Sequence, residues 1–163
     1  MMDRILILVS MVMGLTIGQV PEHLPFVQER FDCHHNYTEK EHHMGHDVWV
    51  TRKGAVRARE GDIALIPGSM GTPSYVVAGK GEKLSFTSAP HGAGRVGSRK
   101  QAYRDITMEA AREAMEGIIW GNVQALIDES PRAYKDITQV IADSADLVEI
   151  THTLTPLMNI KGY

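Results

Sequence analysis

Cysteine is almost absent from this 163-residue sequence: Cys33 is the single thiol, so no disulfide can form within the chain. A reducing compartment is therefore expected, and we predict a cytoplasmic location. Aromatic residues make up only 6%, and no segment is repetitive or of low complexity. The hydrophobic fraction of 43% and the charged fraction of 23% are ordinary for one globular domain with a sizeable core. Collagen-like and low-complexity classes are excluded.

A hydrophobic run long enough to span a membrane is also missing. The apolar run from Ile5 to Ile17 is too short for that role. Asp3 offsets the charge of Arg4 and no A-x-A-like cleavage site follows, which disfavours a signal peptide. Apolar residues recur at helical spacing at Met2, Ile5, Leu6, Val9 and Met13. We predict a helix from Met1 to about Gly14 and no membrane partner.

Positive charge is scarce overall but unevenly distributed. The formal net charge is −3, which does not mark a nucleic-acid-binding protein. From Arg52 to Arg104, however, ten Lys and Arg face only three Asp and Glu, and the rest of the chain holds seven basic and seventeen acidic residues. A basic stretch of this kind can attract phosphates locally, and the alternative is a solvated polar face.

The order of predicted elements favours an α+β fold, because strands come first and helices mainly later. Phe26 to Asn36 is expected to enter a strand. Further strands are predicted over 47–52, 55–59, 63–66, 74–78 and 147–160. Helices are predicted over 107–119, 122–128 and 136–145, with Thr107 as an N-cap. Lys53-Gly54 is expected to form a turn between two strands.

The segment Pro90–Arg95, read as PHGAGR, is followed by Ser98 and Arg99 and carries the densest chemistry. Glycine lacks a Cβ, so a backbone there can approach a bulky anion closely. Arginine offers a planar fork for phosphate oxygens, and a neutral imidazole is a competent nucleophile. The segment is therefore typical of a histidine that receives a phosphoryl group. An ordinary tight turn with a surface histidine is the alternative.

This segment resembles the signature of the RtcB family of RNA ligases. Other runs match the family in its order: 33–37 (CHHNY), 50–55 (VTRKGA), 66–71 (IPGSMG), 133–135 (AYK) and the terminal 161–162 (KG). The resemblance extends over nearly the whole chain. It covers only the C-terminal part of a family member, because stretches of the D-x-G-C-G and G-N-H-F type, which carry metal ligands in the family, do not occur in this sequence.

The resemblance implies a role for each matching residue. His91 corresponds to the family nucleophile, and His35, directly before Asn36, corresponds to a manganese ligand. The residues expected to bind a guanine nucleotide, with GTP as the cofactor, are His35, Asn36, Pro67, Gly68, Ser69, Met70, Ser74, His91, Gly92, Ala93, Gly94, Tyr134 and Lys161. Arg95 and Arg99 are candidates for phosphate contacts on charge and position.

The resemblance also implies the fold and the reaction. We expect the C-terminal portion of an RtcB-like domain over 1–163, with short mixed strands, then helices and a closing strand. The implied activity joins RNA 3′-phosphate or 2′,3′-cyclic phosphate ends to 5′-hydroxyl ends through a GMP–histidine intermediate. An N-terminal half or an archease-like activator is a candidate partner. The alternatives are a guanine-nucleotide- or RNA-binding module without turnover, and an inert remnant.

Histidines are concentrated between His34 and His46, which allows a metal site in principle, because imidazole is a common transition-metal ligand. The spacing matches no zinc motif with paired cysteines. For His42, His43 and His46 we therefore expect a polar, partly exposed loop. His34 and Cys33 match no ligand of the family.

Overall fold

The structure is a computed structural model, and it describes residues 31–121 and 124–160. The chain divides into two units after Phe31, and the strands and helices of the described residues belong to the second unit. The predicted helix at 1–14, positions 26–30 of the segment expected to enter a strand, and Lys161 lie outside the described residues. None of the helices in the described part of the chain is long and apolar enough to cross a membrane.

Two long strands open the described part of the chain. Strand β1 is Asn36–His43 and strand β2 is His46–Lys53, and they pair antiparallel through the turn at Met44 and Gly45. The expectation of a loop for His42, His43 and His46 is therefore wrong. The reason is that the inward face of this hairpin is polar, because Glu41, His43 and Arg52 are buried there. The sequence of β1 therefore lacks the alternation of apolar and polar residues that predicts a strand.

The strands predicted over 55–59, 63–66 and 74–78 are confirmed: the first is two residues shorter, the second has the predicted bounds and the third is one residue longer. Strand β3 is Ala55–Arg57, β4 is Ile63–Ile66, β5 is Ser74–Gly79 and β6 is Ser88–Pro90. Strand β6 was not predicted, and it pairs antiparallel with β3. Strands β4 and β5 pair antiparallel, and β5 is the centre of a sheet whose third member is β8, Val148–Leu154.

The helical region departs from the prediction in two places. Helix α1, Arg99–Asp105, was missed, although Ser98 caps it by accepting a hydrogen bond from the Gln101 backbone N–H. Helix α2 is Met108–Glu113, with the predicted Thr107 cap, and it does not continue to 119. Gly117 has a φ of +79°, a left-handed conformation that continues no helix, and Ile119–Trp120 then forms strand β7.

The remaining elements close the fold. A six-residue 3₁₀ helix, Gln124–Glu129, lies where a helix over 122–128 was predicted, and a single 3₁₀ turn, Pro131–Ala133, follows it. Helix α3, Ile137–Asp143, agrees with the prediction and is capped by Asp136. The predicted closing strand is two strands, β8 and the short β9, Met158–Asn159, which runs parallel to β7. The described residues thus form the α+β mixture expected.

The main hydrophobic core lies between the sheet strands and helix α3. Fully buried side chains from β3, β4 and β5 meet the buried Ile137 and Ile141 of α3. Ala93, inside the HGAGR segment, belongs to this same core. A second, small core joins Met70, Met115 and Leu126. Both candidate site segments, 67–71 and 91–94, are thus anchored on packed apolar side chains, which fixes their backbones.

Candidate active site

His35 and His91 are brought together by the backbone of Gly54. The Gly54 N–H donates to the His35 carbonyl oxygen at 2.9 Å, and the His91 N–H donates to the Gly54 carbonyl oxygen at 3.1 Å. Gly54 has a φ of +72°, which a residue with a Cβ rarely adopts. The predicted Lys53-Gly54 turn is therefore also the element that aligns the two histidines.

The two imidazole rings stack face to face. Their centroids are 3.6 Å apart and the planes differ by 7°. His91 is half-buried, and its Nδ1 is buried with no hydrogen-bond partner in the described part of the chain. Burial, and to a lesser degree the neighbouring His35, lowers the pKa of His91 below its ordinary value of 6.5. His91 is thus held neutral near pH 7, the state that a nucleophilic imidazole requires.

The predicted guanine-nucleotide loop, 67–71, lies against the segment that follows His91. A Cβ on Gly92 would stand 3.1 Å from the Pro67 carbonyl oxygen, so the two loops meet at this point. A Cβ on Gly68 would stand 2.1 Å from the Pro73 carbonyl oxygen. Glycine is therefore needed at position 68 for the loop to fold back tightly.

Two serine hydroxyls predicted to contact a nucleotide have partners inside this loop. Ser74 Oγ accepts from the Gly68 N–H at 3.1 Å, and the Ser69 and Thr72 hydroxyls are 2.9 Å apart. Thr72 Oγ1 also accepts from the Ser69 N–H at 2.7 Å. These bonds stabilise the loop. A hydroxyl can donate and accept at once, so Ser69 and Ser74 keep capacity for a further bond.

A cavity of about 350 Å³ opens beside the loop. Its lining includes five residues that the sequence assigned to nucleotide binding, namely Gly68, Ser69, Met70, Ser74 and Tyr134. This volume lies within the range of pockets that bind small molecules, roughly 300–1,000 Å³. Part of the wall comes from later residues that were not predicted, namely Leu154, Thr155, Pro156, Met158 and Asn159.

Tyr134 is fixed in place by a polar network. Its hydroxyl donates to Glu129 Oε2 at 2.8 Å and accepts from Arg95 Nη1 at 3.0 Å, and the Arg95 guanidinium lies 5.0 Å from the ring centroid. Burial, followed by the bond to Glu129, raises the pKa of Tyr134. The backbone adds a link, since the Lys135 N–H donates to the Gly94 carbonyl oxygen at 3.0 Å. The signature segment and the Ala133–Lys135 run are thus one unit.

Arg95 and Arg99 converge on two carboxylates. Arg99 Nη1 is 3.0 Å from Asp128 Oδ2, and Arg99 Nη2 is 3.1 Å from Glu129 Oε1. Arg95 donates to the Asp128 carbonyl oxygen. Asp128 is almost fully buried, whereas the Arg99 side chain is 71% exposed. The basic stretch seen in the sequence is therefore partly neutralised here by acidic residues from outside it.

The other predicted site residues take separate places. Asn36 begins β1 directly after His35 and is exposed, and Ala93 is buried in the core. His42 and His43 lie at the opposite end of β1, with His42 Nδ1 2.9 Å from Asp47 Oδ1 and His43 Nε2 2.6 Å from Glu41 Oε2. The structure therefore separates them from the His35–His91 pair.

The described residues do not fit a complete manganese site. Among them, no group of three or more His, Cys, Asp and Glu side chains could hold a metal ion. The neighbour of His35 is His91, which the resemblance assigns to attack and not to ligation. A divalent ion needs several ligands to fix its geometry, so His35 is at most one contributor.

Sequence reasoning missed Asp128, Glu129 and Thr72 as parts of the site. Thr72 stands three residues after Ser69, a spacing at which a hydroxyl can bond back to a turn. Asp128 and Glu129 carried a weaker signal: they are acidic residues just before Pro131 in the acidic part of the chain. Their contact with Arg95 and Arg99 depends on tertiary structure.

Comparison with known proteins identifies the family to which this sequence is similar. A family model described as tRNA-splicing ligase RtcB matches residues 2–162. The chain is 44% and 43% identical, over 162 residues each, to RNA-splicing ligase RtcB1 and RNA-splicing ligase RtcB from two strains of Escherichia coli. It is 39% identical over 136 residues to tRNA-splicing ligase RtcB of Pyrobaculum aerophilum.

These alignments cover a larger share of this chain than of its relatives. Each Escherichia coli alignment covers 99% of this chain and 39% of the relative. The Pyrobaculum aerophilum alignment covers 68% of this chain and 28% of the relative. The chain therefore spans about two fifths of the length of the Escherichia coli relatives.

Proposed function

Because the chain belongs to the RtcB family, we propose that it supplies the nucleophile and one wall of the guanine-nucleotide pocket to an RNA ligase. The relatives carry names that state RNA or tRNA splicing. The proposed activity joins an RNA 3′-phosphate or 2′,3′-cyclic phosphate end to a 5′-hydroxyl end, with GTP as the cofactor.

The observation that carries this proposal is the state of His91. Its ring is half-buried and its pKa is lowered by burial, so the imidazole is neutral near pH 7 and one ring nitrogen carries a lone pair. The following Gly92 meets the Pro67 carbonyl oxygen, where the loop that lines the cavity begins. A nucleotide whose base occupies that cavity would have its phosphates directed toward His91.

The proposed reaction has three steps. His91 attacks the α-phosphorus of GTP, a P–N bond forms, and the P–O bond to the β-phosphate breaks with release of pyrophosphate. The GMP group then passes from His91 to the RNA 3′-phosphate. Finally the RNA 5′-hydroxyl attacks that activated phosphate, loses its proton and expels GMP. A 2′,3′-cyclic phosphate end enters the same path after water adds to its phosphorus and the P–O2′ bond breaks, which leaves a 2′-hydroxyl and a 3′-phosphate. Tyr134 and the 67–71 loop are proposed to hold the guanine, and Asn36, at the start of β1, to lie near the nucleotide.

Manganese belongs to the proposal only in a limited sense. In the family, the ion compensates phosphate charge during transfer. His35 is proposed as one of its ligands, and the remaining ligands must come from outside the described residues. Lys161, also outside them, stays a candidate for contact with the nucleotide on the family match.

The test is the covalent adduct. The polypeptide or assembly that contains this chain is incubated with GTP labelled in the α-phosphate, and an acid-labile GMP adduct is expected on His91. His91→Ala should abolish the adduct, and His46→Ala, a matched change at an exposed histidine of β2, should retain it. An adduct that persists in His91→Ala would place the nucleophile elsewhere.

A nucleotide-binding module without turnover is the second candidate, because the described residues form a pocket but no complete metal site. The two functions differ in one measurement. A module would bind GTP reversibly, with the label lost on denaturation, whereas the ligase pathway leaves label attached to the chain.

A further inference from the structure

A second cavity, of about 570 Å³, lies at the far end of the β1–β2 hairpin from His35. One wall is the hairpin end around Met44, and the other is the segment that leads to β6, with Lys83 and Thr87. None of its lining residues belongs to the candidate active site. Its size is sufficient for a nucleotide unit of a larger ligand.

The floor of this cavity is a buried charge network. Glu41 accepts from Arg52 through both carboxylate oxygens, and His43 Nε2 lies 2.6 Å from Glu41 Oε2. The side chains of Glu41 and Arg52 are 2% and 1% exposed. Because Arg52 bonds to it, the pKa of Glu41 is lowered to about 2. The negative charge of Glu41 is therefore permanent at neutral pH and is already compensated from behind by Arg52.

The backbone around the cavity adopts a conformation that side chains disfavour. Met44, Phe86 and Thr87 have φ values of 52°, 54° and 48°, and a β-branched residue such as Thr is rare in this region. Arg52 Nη2 donates to the Phe86 carbonyl oxygen at 2.9 Å, and the Ala58 N–H donates to that of Thr87 at 2.7 Å. The buried network thus holds this strained turn in place. Strain of this kind concentrates at functional sites.

The turn leaves one hydrogen-bonding group unused. Thr87 Oγ1 is buried at the cavity wall and has no partner in the described part of the chain. A buried hydroxyl without a partner is costly, by roughly 1–3 kcal/mol. A ligand with acceptor oxygens would satisfy it.

The rim carries positive charge. Lys83 is exposed and forms no ion pair within residues 31–121 and 124–160. Arg59 is shared between Glu39 and Glu41, with Nη2 at 3.7 and 3.8 Å from their carboxylate oxygens, and its side chain is 44% exposed. Arg52 compensates Glu41, and Arg59 lies beside Glu39, so Lys83 is the rim cation that has no carboxylate partner within the described residues. This unpaired positive charge favours an anion in the cavity.

We propose that this cavity binds a backbone phosphate of an RNA strand, with Lys83 and Arg59 as the cations and Thr87 as a hydroxyl donor. The choice of RNA rests on the proposed function. Seven steps along β1 at about 3.3 Å each separate the two ends of the strand by roughly 23 Å. A strand whose 3′-phosphate lies at His91 would thus reach the cavity several nucleotides further along.

Binding of a fluorescent single-stranded oligoribonucleotide with a 3′-phosphate tests this proposal, measured by anisotropy over a series of salt concentrations. Lys83→Ala should weaken binding and reduce the salt slope by about 0.7, the loss of one phosphate contact on a single strand. Thr87→Val, which keeps the shape, should weaken binding without altering the slope. Lys40→Ala is the matched control, since Lys40 is an exposed lysine of β1 that does not line the cavity.

Three results would overturn the proposal: no RNA binding by the unaltered chain, equal slopes for Lys83→Ala and Lys40→Ala, or an equal effect of Lys83→Ala on a 3′-phosphorylated dinucleotide. The last result would mean that Lys83 acts on the binding of a short nucleotide and not on a longer RNA strand that reaches the cavity. The GMP adduct on His91 separates this test from the proposed function. In the polypeptide or assembly that contains this chain, Lys83→Ala should leave that adduct unchanged, whereas failure of the adduct without any substitution would count against the ligase pathway alone.

Discussion

The imidazole ring of His91 lies parallel to that of His35, with 3.6 Å between centroids and 7° between planes. Two imidazolium ions at this separation would repel each other, and burial of His91 adds a desolvation cost to its charged form. The stack therefore selects a neutral His91. Since main-chain bonds to Gly54 fix both residues, the selection does not depend on a bound ligand.

The first prediction concerns the pH dependence of His91. Because its pKa is lowered, the midpoint of its titration should fall below 6.5, and the rate of GMP adduct formation should rise with pH through that midpoint and then level off. NMR titration of the imidazole gives the midpoint without reference to activity. In His35→Asn the midpoint should move part of the way back, since burial remains the larger cause. A midpoint of His91 at or above 6.5 would contradict the prediction.

The second prediction concerns the buried Glu41–Arg52 pair. Glu41→Gln leaves the guanidinium of Arg52 buried without its charge partner, which should cost about 3 kcal/mol of unfolding free energy. The lowered pKa of Glu41 sets the pH window: its contribution is present above the unfolded value of 4.5 and is lost as pH falls toward about 2. Urea denaturation at neutral pH and in the acid range measures both effects.

The control for this prediction is Glu116→Gln, at an exposed position, which should change stability by less than about 0.5 kcal/mol. If the two variants were equally stable at neutral pH, the hairpin network would contribute nothing to folding. The stability difference between Glu41→Gln and the unaltered chain should disappear in the acid range. If it disappeared only above pH 7, the assigned titration of Glu41 would be wrong.

The polar core of the hairpin also marks the limit of what the sequence could predict. Strands β2 to β5 follow apolar alternation or short apolar runs, and they were predicted. Strand β1 buries Glu41 and His43, two polar residue types that a sequence pattern assigns to the surface. Their burial depends on Arg52, which bonds to Glu41 and to the Phe86 carbonyl oxygen. Helix α1, by contrast, could have been predicted, because Ser98 stands three residues before Gln101 at the spacing of an N-cap.

For the candidate site, the sequence could assign segments but not their partners. The HGAGR, PGSMG and AYK runs were picked out by resemblance, and the structure places Tyr134 and the 67–71 loop around one cavity. The stacking of His35 on His91 and the pairing of Arg99 with Asp128 join residues 56 and 29 positions apart in the numbering. Such contacts follow from sheet register and loop packing, which local patterns do not encode.

The third prediction separates Arg95 from Arg99. Arg95→Ala removes bonds to the Tyr134 hydroxyl and the Asp128 carbonyl oxygen from a largely buried position, so it should lower stability by about 1–3 kcal/mol. Arg99→Ala, at an exposed side chain, should leave stability within about 0.5 kcal/mol. If Arg99 exchanges its carboxylate partners for an RNA phosphate, the salt slope of RNA-end binding should fall by about 0.7 in this variant. An unchanged slope in Arg99→Ala would leave this arginine as a partner of Asp128 and Glu129 only.

The last prediction is that a polypeptide of these 163 residues alone does not join RNA ends. The reason is a shortage of metal ligands. The D-x-G-C-G and G-N-H-F types of stretch are absent from the sequence, and the described residues contain no group of three or more metal-binding side chains, so His35 is the single ligand that the resemblance assigns. One imidazole cannot fix the geometry of a divalent ion, and a triphosphate without that ion lacks its main charge compensation.

Purified protein should therefore show weak binding of manganese and GTP by calorimetry, and no joining of 3′-phosphate to 5′-hydroxyl RNA on a denaturing gel. Adding a separately expressed N-terminal half of a related ligase should restore some activity, and the same addition to His91→Ala should not. Robust joining by the chain alone would contradict the prediction and would require another metal site. His34, His42 and His43 would then be tested first, although His42 and His43 are bonded to Asp47 and Glu41 at the end of β1 remote from His91. Activity that survived their replacement by alanine would move the search to residues outside 31–121 and 124–160.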